Sequence, residues 1–176
     1  MRKTLKKKGL LEDSYRSLRI GEIGCLQSFI KTFKKLLTMK HENVLILEDD
    51  FKLDEKFRDK LMKVKSHIPK DADVVYLGVT PMNYKYGKFT SKNKYFYKPH
   101  GACDKKYKKE SHGAIYGNHG FIINKKAMKA FVDHSMPMKY AADVLLGKLS
   151  TQNKLIKAYN LKNDLITTFK KGSNTM

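Results

Sequence analysis

Apolar residues recur at helical spacing over 22–40, where Ile23, Leu26, Ile30, Phe33 and Leu37 share one face and predict an amphipathic helix. The period then changes. Val44-Leu45-Ile46-Leu47 is a continuous apolar run, the pattern of a strand covered on both faces, and it stops at three carboxylates, Glu48-Asp49-Asp50. Asp54 is placed to cap a helix whose Phe57, Leu61 and Val64 fall together. Residues 73–78 read as a second buried strand. The polar stretch 80–112, rich in lysine and tyrosine, predicts loops with one short strand near Tyr95-Phe96-Tyr97. Strands are expected at Ala114-Ile115-Tyr116 and Phe121-Ile122-Ile123, around a Gly-Asn-His-Gly turn. Asn124 is positioned to cap a helix carrying Ala127, Met128, Phe131 and Val132. A further helix over 140–149 precedes strand-like segments at 155–159 and 165–169.

Strand and helix alternate at first, which predicts an α/β fold with a largely parallel sheet. In such sheets ligands bind at the carboxyl ends of the strands, the position of Glu48, Asp49 and Asp50. No repeat and no Pro/Gly/Ser-rich linker divides the chain. The expectation is a basic lead-in over 1–20 followed by one domain over 21–176.

Charge adds a constraint. The 176 residues carry a formal net charge of +20, a field that attracts nucleic acid, anionic membrane surfaces or phosphorylated small molecules. The lysines are scattered, as Lys6-Lys7-Lys8, Lys105-Lys106, Lys108-Lys109, Lys125-Lys126 and Lys170-Lys171, which favours a solvated surface over a dedicated groove. Arginine, suited to bidentate base and phosphate contacts, occurs only at 2, 16, 19 and 58. Cys25 and Cys103 match no zinc spacing, and Cys25 reads as a small core residue of the first long helix. No apolar run approaches the length of a membrane span, and the basic start lacks the apolar core of a signal peptide. The sequence therefore reads as soluble and cytoplasmic.

The acidic cluster carries the chemistry. Three adjacent carboxylates after a buried strand repel one another, and a hard divalent cation, Mn²⁺ or Mg²⁺, relieves that penalty. In an extended segment residues i and i+2 point the same way, so Glu48 and Asp50 are the expected metal ligands. A solvated loop before the Asp54 cap is the competing reading.

Context weighs against that second reading. Gly21-Glu22-Ile23-Gly24-Cys25-Leu26-Gln27-Ser28, a helix, and then Ile46-Leu47-Glu48-Asp49-Asp50 resemble glycosyltransferase family 25, the lipooligosaccharide and procollagen galactosyltransferases. Gly117-Asn118-His119-Gly120-Phe121-Ile122-Ile123-Asn124-Lys125-Lys126-Ala127 and Ala142-Asp143 extend the match, from about Gly21 to the C-terminus. The resemblance implies a GT-A-like (Rossmann-like) fold, a UDP-hexose donor (UDP-galactose or UDP-glucose), a divalent metal and transfer with inversion. Glu48-Asp49-Asp50 would be the DxD-like, donor-binding motif, with Asp50 touching the metal. Asp143 aligns with a late aspartate of the family and is the candidate base; a first-turn aspartate favoured by the helix dipole is the other reading. His119 would contact metal or phosphate, or be a satisfied turn histidine. Ser28 and Cys25 are expected to seat their helix beside the site.

Two departures stand out. Family members have Ser-His where this chain has Ser28-Phe29. Their domain also begins with a strand–helix–strand unit, whereas about twenty lysine-rich residues precede Gly21 here. The expectation is an N-terminally shortened fold with an open sheet edge covered by a second copy or a partner. The acceptor would be a glycan, lipid-linked glycan or protein hydroxyl. An inactive remnant serving as a partner or scaffold, and a basic nucleic-acid-binding protein, are the competing functions.

Overall fold

A computed structural model of the chain describes residues 1–13, 17–80, 87–102 and 115–168. A short helix α1 (Arg2–Lys7) leads to the long helix α2 (Ile20–Leu37), strand β1 (Asn43–Leu47), strand β2 (Phe51–Leu53) and helix α3 (Phe57–Lys65). Next come β3 (Val74–Gly78), β4 (Gly87–Ser91), β5 (Phe96–Ala102) and β6 (Gly120–Asn124). Helices α4 (Lys125–Asp133) and α5 (Ala142–Thr151) precede β7 (Ala158–Leu161) and β8 (Ile166–Thr168).

Six strands form one sheet in the order β1-β6-β3-β7-β5-β4, and β2 pairs with β8 in a separate ribbon. The architecture is mixed α/β, but the sheet is mostly antiparallel. Only β3 and β7 run parallel among the described pairs, which corrects the largely parallel sheet expected from the sequence. Continuous apolar runs misled that expectation, because any strand covered on both faces shows them, whatever its direction. In β3, Val74 and Tyr76 face one core while Val75 and Leu77 face the other. The first core lies under α2, α4 and α5 and contains Ile23, Leu26, Phe33, Met128, Phe131 and Leu145. The second joins β3, β5 and β7 to Val64 of α3 and to Leu165 and Ile166. Gly78 is required where the two parts meet: a Cβ there would fall 1.7 Å from the Ile166 carbonyl oxygen.

Two further corrections concern strands. β1 is an edge strand, and Leu45 is 38% exposed, so it is not covered on both faces. The Glu48 N–H bonds the His119 carbonyl and the Lys125 N–H bonds the Glu42 carbonyl. By antiparallel alternation, Val44 and Ile46 also hydrogen-bond toward β6, while the amides and carbonyls of Asn43, Leu45 and Leu47 face outward. The expected strand at Ala114-Ile115-Tyr116 is not formed: Ile115 and Tyr116 lie in irregular backbone, and Ala114 is outside the described residues. The lysine- and tyrosine-rich stretch instead yields the β4–β5 hairpin.

Capping followed the sequence in part. The Asn124 side chain accepts the Ala127 N–H at 2.9 Å and starts α4. Asp54 does not cap α3 as expected: the N-cap is Lys56, without a side-chain cap bond, and Asp54 instead accepts the Lys56 N–H at 2.9 Å in the turn before it. The lead-in is not structureless. It contains α1, and Leu11 and Leu18 are buried in the first core. At the far end of the sheet, Asp73 accepts hydrogen bonds from Asn124, Lys126 and the Lys157 N–H. Burial alone would raise its carboxyl, but these donors bring it below the ordinary value. No helix among the described residues is long and apolar enough to cross a membrane.

Candidate active site

Antiparallel pairing brings the end of β1 beside the start of β6, with Leu47 opposite Gly120. One residue further, the Glu48 N–H donates to the His119 carbonyl at 3.2 Å, so the ladder continues into the loops. The two side chains then approach each other, His119 Nδ1 lying 3.7 Å from Glu48 Oε2. Both keep some exposure, 12% for His119 and 27% for Glu48.

Gly117 ties this corner to α5. Its φ of +78° is left-handed, and a Cβ there would fall 2.6 Å from Thr80 Cγ2 and 2.9 Å from the His119 ring. Its N–H donates to Asp143 Oδ2 at 3.0 Å, while the Val144 N–H donates to Asp143 Oδ1 at 2.7 Å. Asp143 sits in the first turn of α5, as the sequence suggested. Burial pushes its carboxyl above the ordinary carboxylate range, and the charges of Glu48 and Glu22 push the same way, against the two backbone donors. Three sequence-predicted groups, Glu48, His119 and Asp143, are thus gathered by one loop.

The other two carboxylates of the cluster behave differently. Asp49 and Asp50 form a turn between β1 and β2, and Asp49 is exposed. The alternation that would aim Glu48 and Asp50 at one ion holds only for extended backbone, and the chain leaves that conformation after Leu47. Asp50 makes no hydrogen bond or ion pair with another described residue. Among the described residues, no group of three or more His, Cys, Asp or Glu side chains could hold a metal by itself. The donor set nevertheless suits an ion shared with a substrate. Mg²⁺ and Mn²⁺ use one or two protein donors and fill their remaining positions with water and phosphate oxygens. Glu48 supplies a carboxylate, and the buried His119 Nδ1 has no hydrogen-bond partner.

Cys25 corrects another expectation. It is exposed on α2, not a core residue, although partial burial and then the charges of Glu48, Asp143 and Asp49 push its thiol up to about 12. A thiol raised in this way is a weaker nucleophile than a free cysteine. Ser28 is exposed as well and donates to the Gly24 carbonyl at 3.0 Å. With Thr32, these residues line a groove of about 680 Å³ between α2 and β1 that ends at Glu48 and Asp49. Cys103 lies outside the described residues.

Sequence reading passed over three groups. Glu22, in the first turn of α2, raises the carboxyl of Asp143. Tyr76 and Asn118 are fully buried, and the Tyr76 hydroxyl and both amide atoms of Asn118 lack hydrogen-bond partners. Asn118 lies within the Gly117–Gly120 motif, which marked the position without revealing its burial. Tyr76 looked like any strand residue. Buried polar groups are normally paired, and these three atoms depart from that rule.

Known proteins resemble this chain in sequence. The profile of glycosyltransferase family 25 (LPS biosynthesis protein) covers residues 2–146, so the match takes in the lead-in as well. Procollagen galactosyltransferase 2 of Mus musculus is 36% identical over 75 residues, which are 41% of this chain and 12% of that protein. A glycosyltransferase 25 family member of Drosophila pseudoobscura pseudoobscura is 34% identical over 71 residues, 38% of this chain and 11% of that protein. The corresponding member from Aedes aegypti is 32% identical over 65 residues, again 11% of its length. The matched segment thus spans about an eighth of these relatives. With a family match over most of its length, this chain belongs to glycosyltransferase family 25.

Proposed function

We propose that this chain transfers a hexose, galactose or glucose, from a UDP-sugar to a hydroxyl acceptor, with inversion and with help from a divalent metal, on a GT-A-like fold. The observation that carries this reading is the convergence of Glu48, His119 and Asp143 where β1, β6 and α5 meet. The name of the Mus musculus relative favours galactose. Family membership supports a nucleotide-sugar donor and a glycan, lipid-linked glycan or protein acceptor.

In this scheme Asp143 is the base, and its raised carboxyl takes up a proton more readily than an ordinary carboxylate. Its carboxylate accepts the proton of the acceptor hydroxyl as that oxygen bonds the anomeric carbon. The electron pair of the breaking bond departs with UDP. Glu48 and His119 would hold Mn²⁺ or Mg²⁺, with Asp50 the further carboxylate of the DxD-like motif, and the ion would supply positive charge for the departing diphosphate. Among the described residues no strand pairs with the outer edge of β1, which supports pairing with a second copy or a partner on that side.

Calorimetric titration with UDP-galactose and with UDP, each in Mn²⁺ and in chelator, tests the reading. Binding should require Mn²⁺, and Glu48→Gln should weaken it by about tenfold, the loss of one charge-assisted contact. If wild-type protein gives neither heat nor a thermal shift with UDP and Mn²⁺, the transferase reading falls and a non-catalytic role replaces it.

A further inference from the structure

Residues 74–103 contain no aspartate or glutamate, although the chain has 17. They do contain Lys85, Lys88, Lys92, Lys94 and Lys98, together with tyrosines at 76, 84, 86, 95 and 97. The lysines of this stretch have no acidic neighbour in sequence, unlike much of this basic chain. The site described above uses none of them.

The β4–β5 hairpin organises part of this stretch. At its tip Asn93 Oδ1 accepts the N–H groups of Tyr95 and Phe96, and Asn93 Nδ2 donates to the His67 carbonyl beyond α3. The tip is therefore fastened at both ends. Lys94 Nζ lies 4.9 Å from the centre of the Tyr95 ring, whose edge also meets the His67 ring at 4.5 Å. Lys162, just after β7, sits 4.7 Å over the Tyr97 ring and donates to Ser91 Oγ at 3.1 Å. Phe89 lies 5.9 Å from Tyr97 on the other strand. None of Lys92, Lys94 and Lys162 forms an ion pair with a described carboxylate.

Sheet register gives this tip its meaning. Tyr97 stands opposite Asn160, which stands opposite Tyr76, and Gly78 at the end of β3 stands opposite Gly120. The tip and the Glu48 corner thus lie at the same end of the sheet. They are separated by the four steps from β1 to β5, about 19 Å at ordinary strand spacing.

We propose that the β4–β5 tip, with Lys92, Lys94 and Lys162 beside Tyr95 and Tyr97, docks the anionic portion of an acceptor saccharide. The proposal rests on the transferase reading above, since it names the class of acceptor. Lysines provide the charge for phosphate or carboxylate groups on a glycan, and the tyrosine rings hold the Lys94 and Lys162 ammonium groups at the tip. A short oligosaccharide anchored here would extend along the end of the sheet toward Asp143. The stretch lacks arginine, the residue of bidentate base and phosphate recognition, which favours a glycan over nucleic acid.

A donor-free binding experiment isolates the tip. Fluorescence polarisation would follow a labelled heparin hexasaccharide, with maltohexaose as the neutral counterpart and a twelve-nucleotide oligo-dT as competitor. Wild-type protein should bind heparin and not maltohexaose. The triple variant Lys92→Ser, Lys94→Ser, Lys162→Ser should weaken binding by about tenfold or more. A control, Lys31→Ser, Lys34→Ser, Lys35→Ser on the exposed side of α2, removes equal charge and should cost less than about threefold. Equal losses in the two variants would overturn the proposal, because charge anywhere would then suffice. So would oligo-dT binding as tightly and depending on the same three lysines. Failure of UDP to bind, measured separately, strikes the transferase reading and removes the acceptor role with it. Loss of tip specificity alone leaves the donor site intact.

Discussion

Replacing Asp143 with asparagine tests a charge that the fold holds at a cost. Its raised carboxyl means that ionisation in the folded chain is less favourable than in the unfolded one. The stability associated with a neutral group here is fully present below the ordinary value of 3.8 and is lost as pH rises through the raised value. Measured against wild type, the melting midpoint of Asp143→Asn should therefore be more favourable at neutral pH than below pH 3.8, even though the amide keeps only one of the two acceptor oxygens. The same substitution should abolish transfer, and a difference in midpoint that does not change with pH would contradict the proposed environment. Glu48, His119 and Asp143 were legible as residues because each sits in a recognisable local motif. Their meeting was not, since the Gly117 turn that joins them depends on a left-handed backbone and on Thr80, far away in sequence. Asp50 lies outside that meeting for a local reason: a turn replaces the extended backbone that its alternation assumed.

Among the elements, α2 bears the most on the position of the site. Its Phe33 is fully buried, meets Phe131 of α4 edge to face at 5.0 Å and meets Phe29 at 5.6 Å. Phe29 in turn stacks on Phe121 of β6, beside the loop that carries His119. Phe33→Ala should cost about 3–5 kcal/mol, measured by urea denaturation, because it removes transfer energy and leaves a cavity between the Phe29 and Phe131 rings. Helix α2 was readable from the sequence, since Ile23, Leu26 and Phe33 keep the period of one buried face. The direction of strand pairing was not. β1 and β6 carry similar apolar runs, and nothing in either states which neighbour it takes or in which sense. The hairpin also escaped notice. Its four-residue turn is held by the Asn93 side chain, without the glycine that usually marks a tight turn.

At the scale of the whole molecule, charge dominates. A net charge of +20 on 176 residues opposes compaction through self-repulsion. The few exposed ion pairs, such as Lys129–Asp133 and Lys60–Asp54, offset little of it. Salt should therefore stabilise the protein, with the thermal midpoint rising as sodium chloride increases from about 0.02 to 0.3 M. A midpoint that falls over this range would show that attractive pairs outweigh the repulsion. The outward-facing peptide groups of β1 leave a signature of their own in heavy water. The amides of Val44 and Ile46, bonded to β6, should exchange hydrogen slowly, whereas those of Asn43, Leu45 and Leu47 should exchange quickly. This odd–even rhythm in five consecutive residues reports whether the edge is bare. Anything that lies down along β1, whether another copy of the chain or a strand from elsewhere, would silence the fast positions and leave the slow ones unchanged.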